Sequence, residues 1–273
     1  MRSVLSKTLT GLCALGLAAC APSPAEVTQQ LTAAINAKNV DGAVALVAPA
    51  ATATVKPAIE ALVAKNAKLE TVGQLKIEGE TVTAVEKLTN DEYTKLGVAP
   101  VEATLVTKVV KGKVVEASVA ITPEAQAKVD GALAQLTKKV VEDYDAAIAA
   151  KNLDGALALV ADNAVLACLD GKTYTGKAEI KKHYEDAAAQ NAVFEPGERT
   201  VSGNKVTYKT KVTLDDWKKL NVAPLEADAV ALVADGKVSS LTLTLTADAD
   251  AKLKEAVASA APAKKGGKGG KKK

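Results

Sequence analysis

One histidine, three cysteines and one glycine-flanked lysine loop are the parts of this 273-residue chain whose residue types most readily do chemistry. His183 stands in Lys181-Lys182-His183-Tyr184, where the neighbouring lysines predict a solvated helix position, and a lone histidine cannot build a zinc site. Cys13 and Cys20 lie close to the N-terminus, which leaves Cys168 as the one thiol in the body of the chain. Gly171-Lys172-Thr173-Tyr174-Thr175-Gly176-Lys177 has the outline of a phosphate-binding loop, but the next residue is Ala178, so the hydroxyl that would hold magnesium is missing and nucleotide binding is excluded. No nucleophile has a base nearby and no Cys-x-x-Cys pair occurs, so neither metal nor cofactor is expected. Asp228, between Ala227 and Ala229 in an apolar run, must be paired, protonated or turned to solvent.

The elements that position these residues occur twice. Ala34-Ile35-Asn36-Ala37-Lys38-Asn39-Val40-Asp41-Gly42-Ala43 returns as Ala147-Ile148-Ala149-Ala150-Lys151-Asn152-Leu153-Asp154-Gly155-Ala156, an offset of 113. Leu96-Gly97-Val98-Ala99-Pro100 returns as Leu220-Asn221-Val222-Ala223-Pro224, an offset of 124, so the second copy is 11 residues longer. Val27, Leu31, Ala34 and Ile35 mark one face of an amphipathic helix, as do Val140, Tyr144, Ala147 and Ile148. Asp41-Gly42 and Asp154-Gly155 are expected to break these helices before second ones through Val44–Val47 and Leu157–Val160, with third helices near 57–67 and 177–189. Period-two stretches rich in Val and Thr predict strands near 69–78, 80–89, 101–110 and 113–121, then near 193–202, 205–213, 225–234 and 237–246. A short helical insert with Tyr93 or Trp217 divides each set, and closing helices start at Thr122 and Thr246. The 11-residue difference falls where the second copy has Ala164 to Thr175, a stretch that reads as a hairpin across Asp170-Gly171 that the first copy lacks. Helices followed by an antiparallel sheet make an α+β layout.

The two ends differ from the body. Arg2 and Lys7 precede an apolar run, Leu9 to Ala19, that is too short to span a bilayer, and Leu17-Ala18-Ala19-Cys20 closes it. This is similar to a bacterial lipoprotein signal, which implies removal of 1–19, lipidation of Cys20 and a membrane as partner. No intrachain disulfide is then possible. At the other end six lysines alternate with glycines from Lys264 to Lys273. The formal charge of +3 becomes +1 without Arg2 and Lys7, and −5 once those six lysines are set aside, so basic character belongs to the tail alone. That tail is expected to be disordered, and either solubilises the chain or attaches it to an anionic surface; no aromatic among the lysines suggests stacking on bases, so no specific nucleic acid is expected. The boundaries are 1–19 signal, 20–25 tether, 26–134 first domain, 135–262 second domain and 263–273 tail.

The second copy resembles the nuclear transport factor 2-like superfamily, which includes ketosteroid isomerase and polyketide cyclases of the SnoaL type. The resemblance rests on Tyr144-Asp145-Ala146-Ala147-Ile148 through Asp154-Gly155-Ala156 to Ala164, on Asp170-Gly171 through Tyr174-Thr175-Gly176-Lys177, and on Asp235-Gly236-Lys237-Val238. It covers nearly all of 138–246 and, through the repeat, the first copy more loosely. It implies two tandem cone-shaped domains, each with helices packed on a curved antiparallel sheet and a pocket at the open end. It also places Tyr144 at the family's helix tyrosine, Asp228 at its neutral acid and Cys168 where the general base stands. A thiol with an ordinary pKa near 8.5 is a poor base for a carbon-bound proton. Other readings stand beside these: Tyr144 and Cys168 as core residues, Asp228 in solvent, and Asp170 as a turn residue. The first copy has Leu31, Val55 and Thr104 at the matching positions, so no polar site is expected there.

Six of the seven aromatics, Tyr144, Tyr174, Tyr184, Phe194, Tyr208 and Trp217, lie in the second copy. Pockets use aromatics for contact area, so Tyr208 and Trp217 join Tyr144, Asp228 and Cys168 as pocket candidates for a small apolar ligand. The expected function is a lipid-anchored binding or protein-interaction module of the cell envelope with no catalytic residue. The alternative is an isomerase-, cyclase- or dehydratase-like enzyme on a small carbonyl or polycyclic compound.

Overall fold

The computed structural model describes residues 21–260; the expected signal 1–19, the lipidated Cys20 and the Lys/Gly tail 263–273 lie outside the described residues. The contacts group the chain into two units that meet in sequence at Ala125 and Gln126. The first opens with helix α1 (Pro24–Asn36), so the helix takes up part of the expected tether. Ser23 and Glu26 form a reciprocal capping box and Pro24 supplies the first helical residue. Helix α2 (Val40–Ala45) follows, then a short 3-10 turn (Pro49–Ala51) and α3 (Thr52–Ala64). Strands β1 (Lys68–Glu78) and β2 (Thr81–Thr89), helix α4 (Asp91–Lys95) and strands β3 (Val101–Val110) and β4 (Lys113–Ile121) complete the unit.

Helix α5 (Pro123–Ala149) runs unbroken through the stretch in which a closing helix and a new first helix were expected separately, because no proline interrupts it after its first residue. Then come α6 (Leu153–Ala158), β5 (Val160–Ala167), β6 (Thr173–Thr175) and α7 (Gly176–Ala189). Strands β7 (Val193–Ser202) and β8 (Lys205–Thr213), helix α8 (Asp215–Lys219), strands β9 (Leu225–Ala234) and β10 (Lys237–Leu245) and helix α9 (Ala247–Ala260) finish the second unit.

The sheet of the first unit is ordered β1-β2-β3-β4 and all its pairings are antiparallel. That of the second is ordered β6-β5-β10-β9-β8-β7. The β5–β6 hairpin forms as expected, but β5 lies parallel to β10. Its start also corrects the expected helix: α6 stops at Ala158, and Val160 already bridges Val238. The first unit has the same bridge, Val47 to Val114, and then goes directly into the 3-10 turn. Both sheets pack helices on one face, the α+β arrangement expected.

The Asp-Gly pairs do not break helices. The reversals fall at Lys38 and Lys151, with φ of 57° and 56°, while Gly42 and Gly155 lie in the first turns of α2 and α6. There their amides bond the Asn39 and Asn152 side chains at 2.8 and 3.0 Å. A Cβ would sit 2.4 or 2.5 Å from the asparagine Nδ2, so only glycine lets these caps close.

The core of the first unit holds Leu31, Ile35, Leu69, Val82 and Leu105 and, contrary to the apolar interior expected there, Glu86 at 0% exposure. One Glu86 oxygen accepts a 2.9 Å hydrogen bond from the Thr71 hydroxyl, while Oε2 has no partner among the described residues. Burial raises its pKa from the usual 4.5, opposed by that bond. The carboxyl therefore keeps its proton in the fold at a pH where the unfolded chain has released it, and stability falls as pH rises above about 4.5. Glu86→Gln removes the ionisation, so its melting temperature by calorimetry should exceed that of the parent at pH 7 by a few degrees, with the difference shrinking below pH 4.5. A pH-independent difference would refute the buried titration.

Candidate functional site

The site of the second unit lies on the sheet face turned to α5 and α7. Three cross-strand layers set its depth. Phe194, Val212 and Leu225 are aligned at the mouth; Pro196, Thr210 and Ala227 follow; Arg199, Tyr208 and Ala229 are deepest. Alternation on β8 sends Val206, Tyr208, Thr210 and Val212 inward and Lys205, Lys209 and Lys211 to solvent. Between Pro196 and Arg199 the register shifts, and a Cβ on Gly197 would meet the Lys209 carbonyl at 3.1 Å. This bulge, with its glycine, turns Arg199 inward.

At the deep end the Asp145 carboxylate of α5 accepts from Arg199 Nη2 at 2.5 Å and from the Tyr208 hydroxyl at 3.1 Å, and the guanidinium lies 4.9 Å from the Tyr208 ring centre. Burial raises the pKa of Asp145 above its ordinary value, against the pull of Arg199 and Tyr208. The Tyr144 and Tyr184 hydroxyls hydrogen-bond each other, and burial raises both pKa values well above 10, so both stay neutral. Two polar atoms here lack partners among the described residues: Arg199 Nε and Thr210 Oγ1.

Toward the mouth a cavity of about 670 Å³ opens. Its apolar wall includes Phe194, Trp217, Leu243 and Leu253, and its polar wall Cys168, Asp170, Tyr174 and His183. Cys168 Sγ is 3.1 Å from His183 Nε2, and the His183 ring stacks on Tyr174 with centroids 4.4 Å apart. Asp170 accepts from the Lys172 backbone N–H at 3.0 Å, the expected turn role, and also from the Tyr174 hydroxyl at 2.8 Å. Burial pushes the Cys168 thiol up to about 12 and lowers the His183 pKa, so the pair is neutral and no thiolate–imidazolium forms. The hydrogen bond to Asp170 likewise raises the Tyr174 hydroxyl to about 12.

The structure thus gathers Cys168 and Trp217 around the outer cavity and Tyr144 and Tyr208 behind it. It does not bring in Asp228, which is exposed on the opposite face of β9 beside Lys209, because Ala227 and Ala229 take the inward positions. Val55 is on α3 facing the core and does not correspond to Cys168, which follows β5, whereas Thr104 takes on β3 the outward register position that Asp228 takes on β9. His183 is not fully solvated: Lys181 and Lys182 point out, and the next residue of the turn faces the cavity. Arg199 was missed, although it is the only arginine besides Arg2 in a lysine-rich chain, a compositional signal for a special role. Among the described residues no group of three His, Cys, Asp or Glu side chains could hold a metal.

With thiol ionisation suppressed, alkylation of Cys168 by iodoacetamide at pH 8 should be at least roughly a thousandfold slower in the folded protein than in urea. Comparable rates would show that the thiol is neither buried nor neutral.

Residues 141–241 match the SnoaL-like domain family. A comparison with curated proteins finds no match. Similar solved structures include a putative polyketide cyclase from Sinorhizobium meliloti, 24% identical over 38% of this chain and 93% of that one, with a TM-score of 0.35. A putative ketosteroid isomerase from Kribbella flavida is 17% identical over 41% of this chain and 79% of that one, with a TM-score of 0.37. An NTF2-like protein of unknown function from Mesorhizobium loti is 14% identical over 41% and 93%, with a TM-score of 0.37.

Proposed function

We propose that the second unit is a SnoaL-like module that binds a small, largely apolar ligand without converting it, held at the cell envelope through lipidated Cys20. The observation that carries this reading is the outer cavity: about 670 Å³, walled on one side by Phe194, Trp217, Leu243 and Leu253 and on the other by Cys168, Tyr174 and His183, which are neutral, and Asp170, which is already hydrogen-bonded, with Lys172 and Asp186 also in the lining. Such a lining fits a ligand by contact area and a few orienting polar groups. The first unit, whose helix cap, sheet bridge and strand register repeat those of the second, is proposed as a tandem copy of the same domain that serves structure or a partner. The Lys/Gly tail adds contact with an anionic surface, on either the outer side of the cytoplasmic membrane or the outer membrane.

A second reading, turnover of a small carbonyl or polycyclic compound, draws on the 3.1 Å contact between Cys168 and His183. Burial weighs against it, since it moves both groups away from the charged states that nucleophile and base need.

Native mass spectrometry of the mature chain from its own host tests the reading. One small-molecule adduct per chain is expected, and it should be lost in Leu253→Arg, which places a charge in the cavity wall. Recovery of the adduct unchanged after incubation supports binding, and a converted product would establish turnover in its place. A bare chain in both proteins would sink the ligand reading. Lipidation is tested separately: an alkyne fatty acid fed to the host should label the parent and not Cys20→Ser.

A further inference from the structure

Three cavities of the second unit share one side chain. Phe194 lines the outer cavity of about 670 Å³, a lateral one of about 170 Å³ beside Ile148 and Leu153, and an inner one of about 20 Å³. Leu243 also lines both the outer and the inner cavity. The inner cavity is walled by Tyr144, Asp145, Tyr208 and Thr210. Its volume suits a single water and nothing larger. It nevertheless holds the Thr210 hydroxyl, on a residue 3% exposed, with no partner among the described residues. A buried hydroxyl left unpaired costs stability, and valine at this position would fill nearly the same volume at no such cost.

Phe194 stands one layer outside Thr210: Phe194 is aligned with Val212 and Pro196 with Thr210, a depth of about 7 Å along the strands. Moving that ring aside would join the outer cavity to the inner and lateral ones. We propose that Phe194 is a gate, and that the ligand enters past it to place a neutral oxygen, a hydroxyl or a carbonyl, against Thr210. The ligand class is an elongated apolar molecule with one such terminal oxygen. A carboxylate is excluded because it would stand beside Asp145 in the buried end, and an ammonium because the Asp145 carboxylate is already engaged by Arg199 and Tyr208. The proposal rests on the reading of the outer cavity as a ligand site.

The test uses two probes that differ by one hydroxyl, biphenyl and 4-phenylphenol, followed through the fluorescence of Trp217, the only tryptophan and a cavity residue. Both should quench it in the parent. Thr210→Val should weaken 4-phenylphenol roughly tenfold, the loss of one buried hydrogen bond, and leave biphenyl unchanged. Phe194→Leu should speed association of 4-phenylphenol several-fold in stopped flow while the Thr210→Val penalty persists. If both probes bind but Thr210→Val affects them equally, the inner site is wrong while the outer cavity stands as a binding site. An unchanged association rate in Phe194→Leu refutes the gate. If neither probe quenches Trp217 in the parent, the outer-cavity reading fails and this proposal with it.

Discussion

A carboxylate and a guanidinium enclosed by the sheet and helices of the second unit set the terms for what surrounds them. Asp145 and Arg199 have side-chain exposures of 15% and 12%, and either one left alone there would cost several kcal/mol. The pair is tolerated because the Tyr208 hydroxyl takes a second carboxylate oxygen and the tyrosine ring lies against the guanidinium. Each partner makes a demand of its own. Arg199 needs the bulge after Pro196, the bulge needs Gly197, and Tyr208 needs a small residue across the sheet, supplied by Ala229. The charge pair thereby ties α5 to one register on β7 and β8, and the cavity nearer the mouth follows from that register.

The two units solve the same packing problem with different side chains. Ala84 faces Leu105 across the first sheet, while 124 positions later Tyr208 faces Ala229: bulk has moved from one strand to its neighbour. Leu31 of α1 and Tyr144 of α5, 113 positions apart, are both buried on the helix that crosses the sheet. The aromatic choices bring hydroxyls into the interior, and they need partners that the aliphatic choices do not. One position keeps a polar group in both: Glu86 opposite Ala103 and Thr210 opposite Ala227, each buried with one oxygen that has no partner among the described residues. An apolar residue at either site would relieve that cost, so packing alone does not account for them.

The strands were legible in the sequence almost to the residue, since β-branched alternation and the turns between strands are local signals, and the duplicated segment allowed each unit to check the other. The helix boundaries were less so. The Asp-Gly pairs looked like breaks because glycine is read as a breaker, whereas their role depends on an asparagine three residues earlier. The parallel pairing of β5 was hidden for a different reason: a hairpin announces its own turn and not the neighbour it joins. Of the site, the aromatics Tyr144, Tyr208 and Trp217 and the thiol Cys168 could be picked out, because bulky or rare residues stand out by type. Asp228 could not be placed, since the face it takes depends on a register of one residue on β9. Arg199 stands out in the sequence only as a rare arginine, since its role comes from a partner 54 residues away, and Thr210 is marked out only by a hydroxyl without a partner among the described residues, a condition that leaves no mark in a single sequence.

The uneven aromatic distribution, read above as a sign of where a pocket lies, also divides the protein optically. The lone tryptophan belongs to the second unit, and the first has Tyr93 as its only aromatic. Tyrosine and tryptophan signals therefore describe one half of the molecule and leave the other nearly dark. A single cooperative transition followed by fluorescence would not establish that both halves unfold together, and a folding defect confined to the first unit would pass unseen in an experiment that otherwise looked complete.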